Sequence, residues 1–207
     1  MSIIVKDGTG TGQSLKIDAN NRAETNAVTE GFADHAAESG DKFNINTGDI
    51  TLTDDTITST LYIKNNEDSD LVITALIYNL GASAGGSGDV KIDVMRNPTA
   101  GTIVSDAVNV DVGPGVSANQ NFGSNKVLSV NAYKGDTADN DFTDGTVSIS
   151  TRSASNTGRI IVSLGAVIIP KGSSIGVSYT PPTSNTSQIV QFAAACYLRT
   201  VDVTGEV

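Results

Sequence analysis

From Phe43 onward, apolar and polar residues alternate with a period of two. Leu61 and Ile63 alternate with Tyr62 and Lys64, and Val90, Ile92 and Val94 with Lys91, Asp93 and Met95. The same pattern recurs at Val108, Val110 and Val112, and again at Ile175, Val177 and Tyr179. Strict alternation predicts strands with one face on a core and the other toward water. Two segments depart from it. The runs 71–80 and 160–169 are almost continuously apolar, and each predicts a central strand covered on both faces. Turn signals punctuate the strands at Asn65-Asn66-Glu67-Asp68, Gly85-Gly86-Ser87-Gly88, Asn97-Pro98, Gly113-Pro114-Gly115, Lys171-Gly172 and Pro181-Pro182. About ten short strands without intervening helices imply an all-β protein, a β-sandwich of which the jelly roll is one form. The pattern leaves the strand order open. No repeat of fixed period is present, which argues against a propeller or solenoid.

Residues 1–42 differ from this. Gly8, Gly10 and Gly12 occupy alternate positions, which favours a mobile or tightly bent segment. A short strand is expected around 14–18. The stretch 23–40 is the only helix-compatible one, and it predicts a short helix over about 29–39. Thr29 would cap it, Phe32, His35 and Ala36 would share a face, and Gly40 would end it. Gly31 works against it. The region has too few large apolar residues for a core of its own. It therefore reads as an N-terminal extended arm, residues 1–42, that packs on something else, followed by a β-sandwich domain over 43–207.

Composition narrows the chemistry. The 207 residues carry 13 Lys and Arg against 23 Asp and Glu, a net charge of −10. A pI near 4.3 argues against nucleic acid as partner, because phosphate binding needs clustered positive charge. One cysteine, Cys196, permits no internal disulfide, and one histidine, His35, permits no multi-histidine metal site. The apolar run Ile3-Ile4-Val5 is far shorter than the core of a signal peptide, and Ala193–Leu198 is too short to cross a bilayer. The reading expects a protein made in a cytosol, with no membrane partner and no cofactor.

Four motifs match a chemical pattern in part. Gly81-Ala82-Ser83-Ala84-Gly85 fits G-x-S-x-G, but that chemistry needs a strand, a sharp turn, a helix and a later His. The only His lies 48 residues earlier, and a flexible strand connection is the plainer reading. Gly8–Gly12 lacks the ending of a phosphate loop. Asp136, Asp139, Asp141 and Asp144 have the alternate spacing that calcium uses. An EF-hand begun at Asp139 puts Asp144 where Gly is required and Ser150 where the bidentate Glu belongs, so a solvated hairpin loop competes with an irregular calcium site. Asn185-Thr186-Ser187 is a glycosylation sequon, without meaning unless the chain is secreted. Cys196 reads as a small buried hydrophobe and His35 as a surface or arm residue. No pair of residues has the spacing of a catalytic site, so no enzyme is expected.

Several ordered segments resemble virion structural proteins of tailed bacteriophages, most closely head decoration (cement) or head-fibre proteins. They are Phe43–Gly48, Leu61–Glu67 leading into Asp70–Ile73, Arg96–Ile103, Asn119–Ser124, and Ile169–Val177 with Tyr179–Pro182. Together they spread over residues 43–200. The resemblance implies a non-enzymatic protein on the capsid surface of a virion, synthesised in the host bacterial cytoplasm. Its implied partners are the major capsid protein and further copies of itself, a homo-oligomer such as a trimer around local threefold axes. It supplies no catalytic residues. The alternative is a tail, neck or fibre component that binds a host receptor or glycan. An aromatic platform for a sugar is not evident, since Tyr62, Tyr78, Tyr133, Tyr179 and Tyr197 are scattered and there is no Trp.

Overall fold

In the computed structural model, residues 16–17, 23–24, 32–105, 117–135 and 141–199 are described. The chain divides into two compact units, Met1–Gly31 and Phe32–Val207. In the first, β1 (Lys16–Ile17) pairs antiparallel with β2 (Ala23–Glu24). The glycine-alternating segment 8–12, Thr29, and the alternation at Val108, Val110 and Val112 lie outside the described residues.

The second unit runs α1 (Phe32–Glu38), β3 (Lys42–Asn46), β4 (Ile50–Leu52), β5 (Thr58–Asn65), β6 (Asp70–Leu80), β7 (Asp89–Arg96), α2 (Thr102–Ser105), β8 (Ser117–Asn119), β9 (Val130–Lys134), β10 (Thr146–Ala154), β11 (Gly158–Ile169), β12 (Ser174–Thr180) and β13 (Gln188–Arg199). One sheet has the order β10-β7-β12-β5-β9. The other has the order β11-β6-β13-β3-β8, with β4 also paired to β13. Neighbours are antiparallel throughout. Setting aside short β4, β8 and β9, the remaining eight strands can be lettered B to I in chain order. The sheets then read C-H-E-F and B-I-D-G, two Greek keys in the arrangement of a jelly roll. The expected β-sandwich is present, and the strand order selects this form of it.

Period-two positions supply the core between the sheets. Leu61, Ile63, Val90, Ile92, Val94, Ile175, Val177 and Tyr179 point inward from one sheet, and Phe43, Ile45, Leu71, Ile73, Val190 and Phe192 from the other. A smaller cluster of Tyr62, Met95, Ile103 and Phe142 covers the outer face of the first sheet. It depends on Gly176. A Cβ there would stand 2.5 Å from the Phe142 ring, so no larger residue lets that ring lie on β12.

Three features differ from the sequence reading. The run 71–80 does form a central strand, β6, between β11 and β13. The equally apolar run 160–169 does not, because β11 is the edge strand of its sheet. Apolar continuity reports that a strand is suited to cover on both faces, without saying what supplies the cover. The helix is seven residues long and belongs with the second unit, packing against β13 and β3, so that unit begins at Phe32 rather than at 43. Ala36 is the buried anchor of that contact. Gly40 ends the helix at φ +74°, and a Cβ there would clash with the Ser124 side chain at 2.3 Å. The third is α2, a four-residue helical turn between β7 and β8, for which the pattern gives no signal.

Candidate functional site

The β10–β11 hairpin forms one whole side of the sandwich, because β10 is the edge of one sheet and β11 of the other. Neither strand is well covered. Among the residues of both, only Ile169 is buried, while Ile161 is 57% exposed, Val147 48% and Ile168 44%. A twelve-residue edge strand with one charge, Arg159, has little of what keeps edges from pairing with other chains. Its main irregularity is a bulge between Ser163 and Val167, opposite Ala75 and Ile73.

At one end of this side the sheets part into a cleft of about 290 Å³. Val94, Met95, Val167, Ile169 and Ile175 give it apolar walls, with Ser148 and Ser173 at polar positions. Arg96 lines it, and no acidic residue does. The charge pattern extends along the chain. Residues 145–201 contain Arg152, Arg159, Lys171 and Arg199 but no Asp or Glu, in a protein of net charge −10. Lys171 pairs with Asp68, and Arg199 with Asp70 at 2.5 Å. Arg96, Arg152 and Arg159 make no ion pair among the described residues. The cleft is therefore apolar, with one cation and no acid in its lining.

The opposite side, edged by β8 and β9, differs in kind. Between those strands Phe122 stands 98% exposed, with Val127 also exposed. The turn that carries Phe122 is fixed at its base. Asn121 donates to the Glu38 carbonyl at 2.9 Å, an open C-terminal carbonyl of α1, and Asn119 to the carbonyl of Gly40 just beyond the helix at 2.8 Å. Lys126 pairs with Asp41 at 2.8 Å. Exposed Asp34 and Glu38 on α1 give this side an acidic margin.

The residues singled out in sequence fall as follows. Asp136 and Asp139 lie outside the described residues. Asp141 and Asp144 are engaged as internal acceptors. Asp141 accepts from Ser178 Oγ at 2.5 Å and from the Phe142 amide, and Asp144 from the amides of Thr99 and Ala100 at 2.8 and 2.9 Å and from Thr99 Oγ1 at 2.5 Å. Among the described residues, no three metal-ligating side chains converge. Ser83 donates to Asn185 Oδ1 at 2.5 Å, and its turn leads into strand β7 rather than a helix. Asn185 is itself buried, with its amide on the Asp54 carbonyl at 2.7 Å. His35 is exposed on α1. Cys196 is buried in β13, and burial pushes its thiol up to about 12, so it is inert as a nucleophile at neutral pH. No helix of the described residues is long and apolar enough to cross a membrane.

The tyrosines are less scattered than their spacing suggests. Tyr62 stacks on Tyr133 at 5.9 Å, and Tyr78 and Tyr179 both meet Phe192 in the core. A polar groove on the outer face of the β11-containing sheet, about 280 Å³, is lined by Asn44, Asn46, Asn79, Gln191 and Arg159. Several of its amide atoms are already engaged within the fold. Gln191 donates to Asp49, Gln120 donates to Asn44, and Asn46 accepts from the Gly48 amide.

Asp144 offers a test of what the acidic loop does. The Thr99 hydroxyl and then the Thr99 and Ala100 amides hold its carboxyl below the ordinary value of 3.8. A carboxyl depressed in the folded state contributes its stability above that value and loses it as pH falls through the folded pKa. Asp144→Ala should therefore melt below the parent at pH 7, and the gap should narrow as pH falls below the ordinary carboxylate range. Thermal melts followed by circular dichroism check this, and a gap that does not change with pH refutes it.

The one sequence signal for the open β10–β11 side is the stretch 145–201, fifty-odd residues without an acid in a strongly acidic chain. Comparison with known proteins adds little. No family model matches the chain, and no curated protein matches it. Among solved structures, one described as "The Structure of Tomato Aspermy Virus by X-Ray Crystallography" superposes on 87% of this chain and 86% of that chain, with a TM-score of 0.30 and 9% identity. So loose a superposition carries no argument about function.

Proposed function

We propose that this is a non-enzymatic structural protein of a tailed-bacteriophage virion, one that decorates and stabilises the capsid through subunit–capsid contacts. The observation that carries the reading is the β10–β11 side: a long apolar edge strand without an acid, on a jelly roll whose net charge is −10. An edge of this kind pairs with whatever chain reaches it, and on a particle surface neighbouring subunits do. The segments that resemble phage decoration proteins support the same reading. Jelly rolls also serve as lectins, so the fold by itself does not choose.

In this reading the protein works mechanically. Each copy adds a modest contact, and many copies on one particle multiply it through avidity. Residues 1–31, a unit separate from the jelly roll, are the proposed contact with the major capsid protein. The acidic charge keeps the protein off packaged DNA. Purified full-length protein should co-sediment with capsids built from the major capsid protein, saturating near stoichiometric ratio, while residues 32–207 alone stay in the supernatant. Failure of the full chain to bind refutes decoration. Equal binding by 32–207 moves the contact onto the jelly roll and refutes the role of the N-terminal unit.

A further inference from the structure

We infer that copies of this chain associate head to tail, with Phe122 of one copy seated in the cleft on the β10–β11 side of the next. Phe122 is a large apolar ring almost wholly in water, on a turn held to α1 by Asn119 and Asn121. Such a ring is pre-organised for insertion, since the turn does not have to be ordered on binding. The cleft offers apolar walls and about 290 Å³, ample for one aromatic ring.

The two features lie at opposite edges of the same sheets, β8 and β9 against β10 and β11. A copy cannot fill its own cleft with its own Phe122, but each copy carries one knob and one hole. Contact between two different patches is heterologous, and it closes into a ring when the rotation between copies allows. Charge favours this pairing over hole against hole. Arg96 lines the cleft, and exposed Asp34 and Glu38 stand on the Phe122 side, where Asp41 is already paired with Lys126. Two clefts brought together would oppose Arg96 to Arg96, whereas head-to-tail contact brings Arg96 toward carboxylates. The open edge strands of both sides also come together in this arrangement, which covers β11.

The test is the oligomeric state of the full-length protein in solution, which needs no capsid and so fails or succeeds apart from the decoration reading. Phe122→Asp and Ser148→Arg change exposed positions, one on the knob and one at the mouth of the hole, and circular dichroism checks that both fold. By light scattering after gel filtration, the parent should exceed the 21.3 kDa of one chain at about 100 μM, a concentration that populates weak transient interfaces. Each variant alone should run as a monomer. Mixed, they keep one good knob and one good hole between them, and should form a 1:1 dimer that grows no further. A parent that is monomeric throughout, a Phe122→Asp variant that associates as the parent does, or a mixture that stays monomeric would each overturn the inference.

Discussion

Replacing Phe192 with alanine should destabilise the protein by about 4 kcal/mol and lower its Tm by roughly 10 °C. Phe192 is 1% exposed on β13, and its ring lies 6.2 Å from that of Tyr78 and 6.0 Å, edge-on, from that of Tyr179. Tyr78 belongs to the same sheet, on β6, and Tyr179 to the facing sheet, on β12. The ring is thus a direct bridge between the two layers. Its removal loses the transfer energy of the ring and leaves a cavity with limited means to collapse. Tyr179 is tethered through its hydroxyl to Gln188, and β13 is held on both sides, by β6 and by β3 and β4. Urea unfolding of the parent and variant measures the difference. A loss below about 1 kcal/mol would mean that the sheets close over the gap, contrary to the tethering argument. Phe192→Leu, which keeps most of the apolar volume, should lose less than half as much.

The layers of this fold were readable because burial in a sandwich writes itself as alternation. Leu61, Ile63, Val90, Ile92, Val94, Ile175, Val177 and Tyr179 were marked inward by period alone, and all are core residues. What alternation does not report is which strand lies beside which. Residues 71–80 and 160–169 have the same apolar texture, yet β6 is central and β11 is an edge. The difference comes from pairing partners remote in sequence, β13 for one and open solvent for the other. The same limit hid the candidate site. Phe122 and the cleft residues Val94 and Ile169 look like ordinary core material in sequence, and only the strand order puts one on the outside at one edge and the others around an opening at the opposite edge. The turn Asn119–Ser124 carries part of the resemblance to phage decoration proteins. Its physical work is to cap α1, which requires two segments eighty residues apart to meet.

Gln188→Leu should cost about 3 kcal/mol, and the loss should shrink when Tyr179→Phe is added to it. Gln188 is 1% exposed, in a position where alternation calls for an apolar residue. Its amide nitrogen donates to the carbonyls of Gly81 and Ser155, each at 2.9 Å, and its oxygen accepts from the Tyr179 hydroxyl at 2.7 Å. One side chain therefore joins the turn after β6, the turn between β10 and β11, and strand β12. Leucine fills similar space but strands two carbonyls and a hydroxyl, each costing roughly 1–3 kcal/mol when it finds no other partner. Tyr179 is 0% exposed, so its hydroxyl has no water to turn to once Gln188 is gone. Removing that hydroxyl in the double variant relieves one of the three stranded groups. Gln188→Leu/Tyr179→Phe should then be more stable than Gln188→Leu by about 1 kcal/mol, although Tyr179→Phe alone destabilises the parent. Strict additivity of the two changes would show that the 2.7 Å contact carries no coupling. The Ser155 bond gives the residue a further consequence, since it anchors the hairpin that forms the β10–β11 side. Hydrogen exchange in residues 154–158 should accelerate in Gln188→Leu more than exchange in the central strand β6, because the open edge has no second neighbour to hold it.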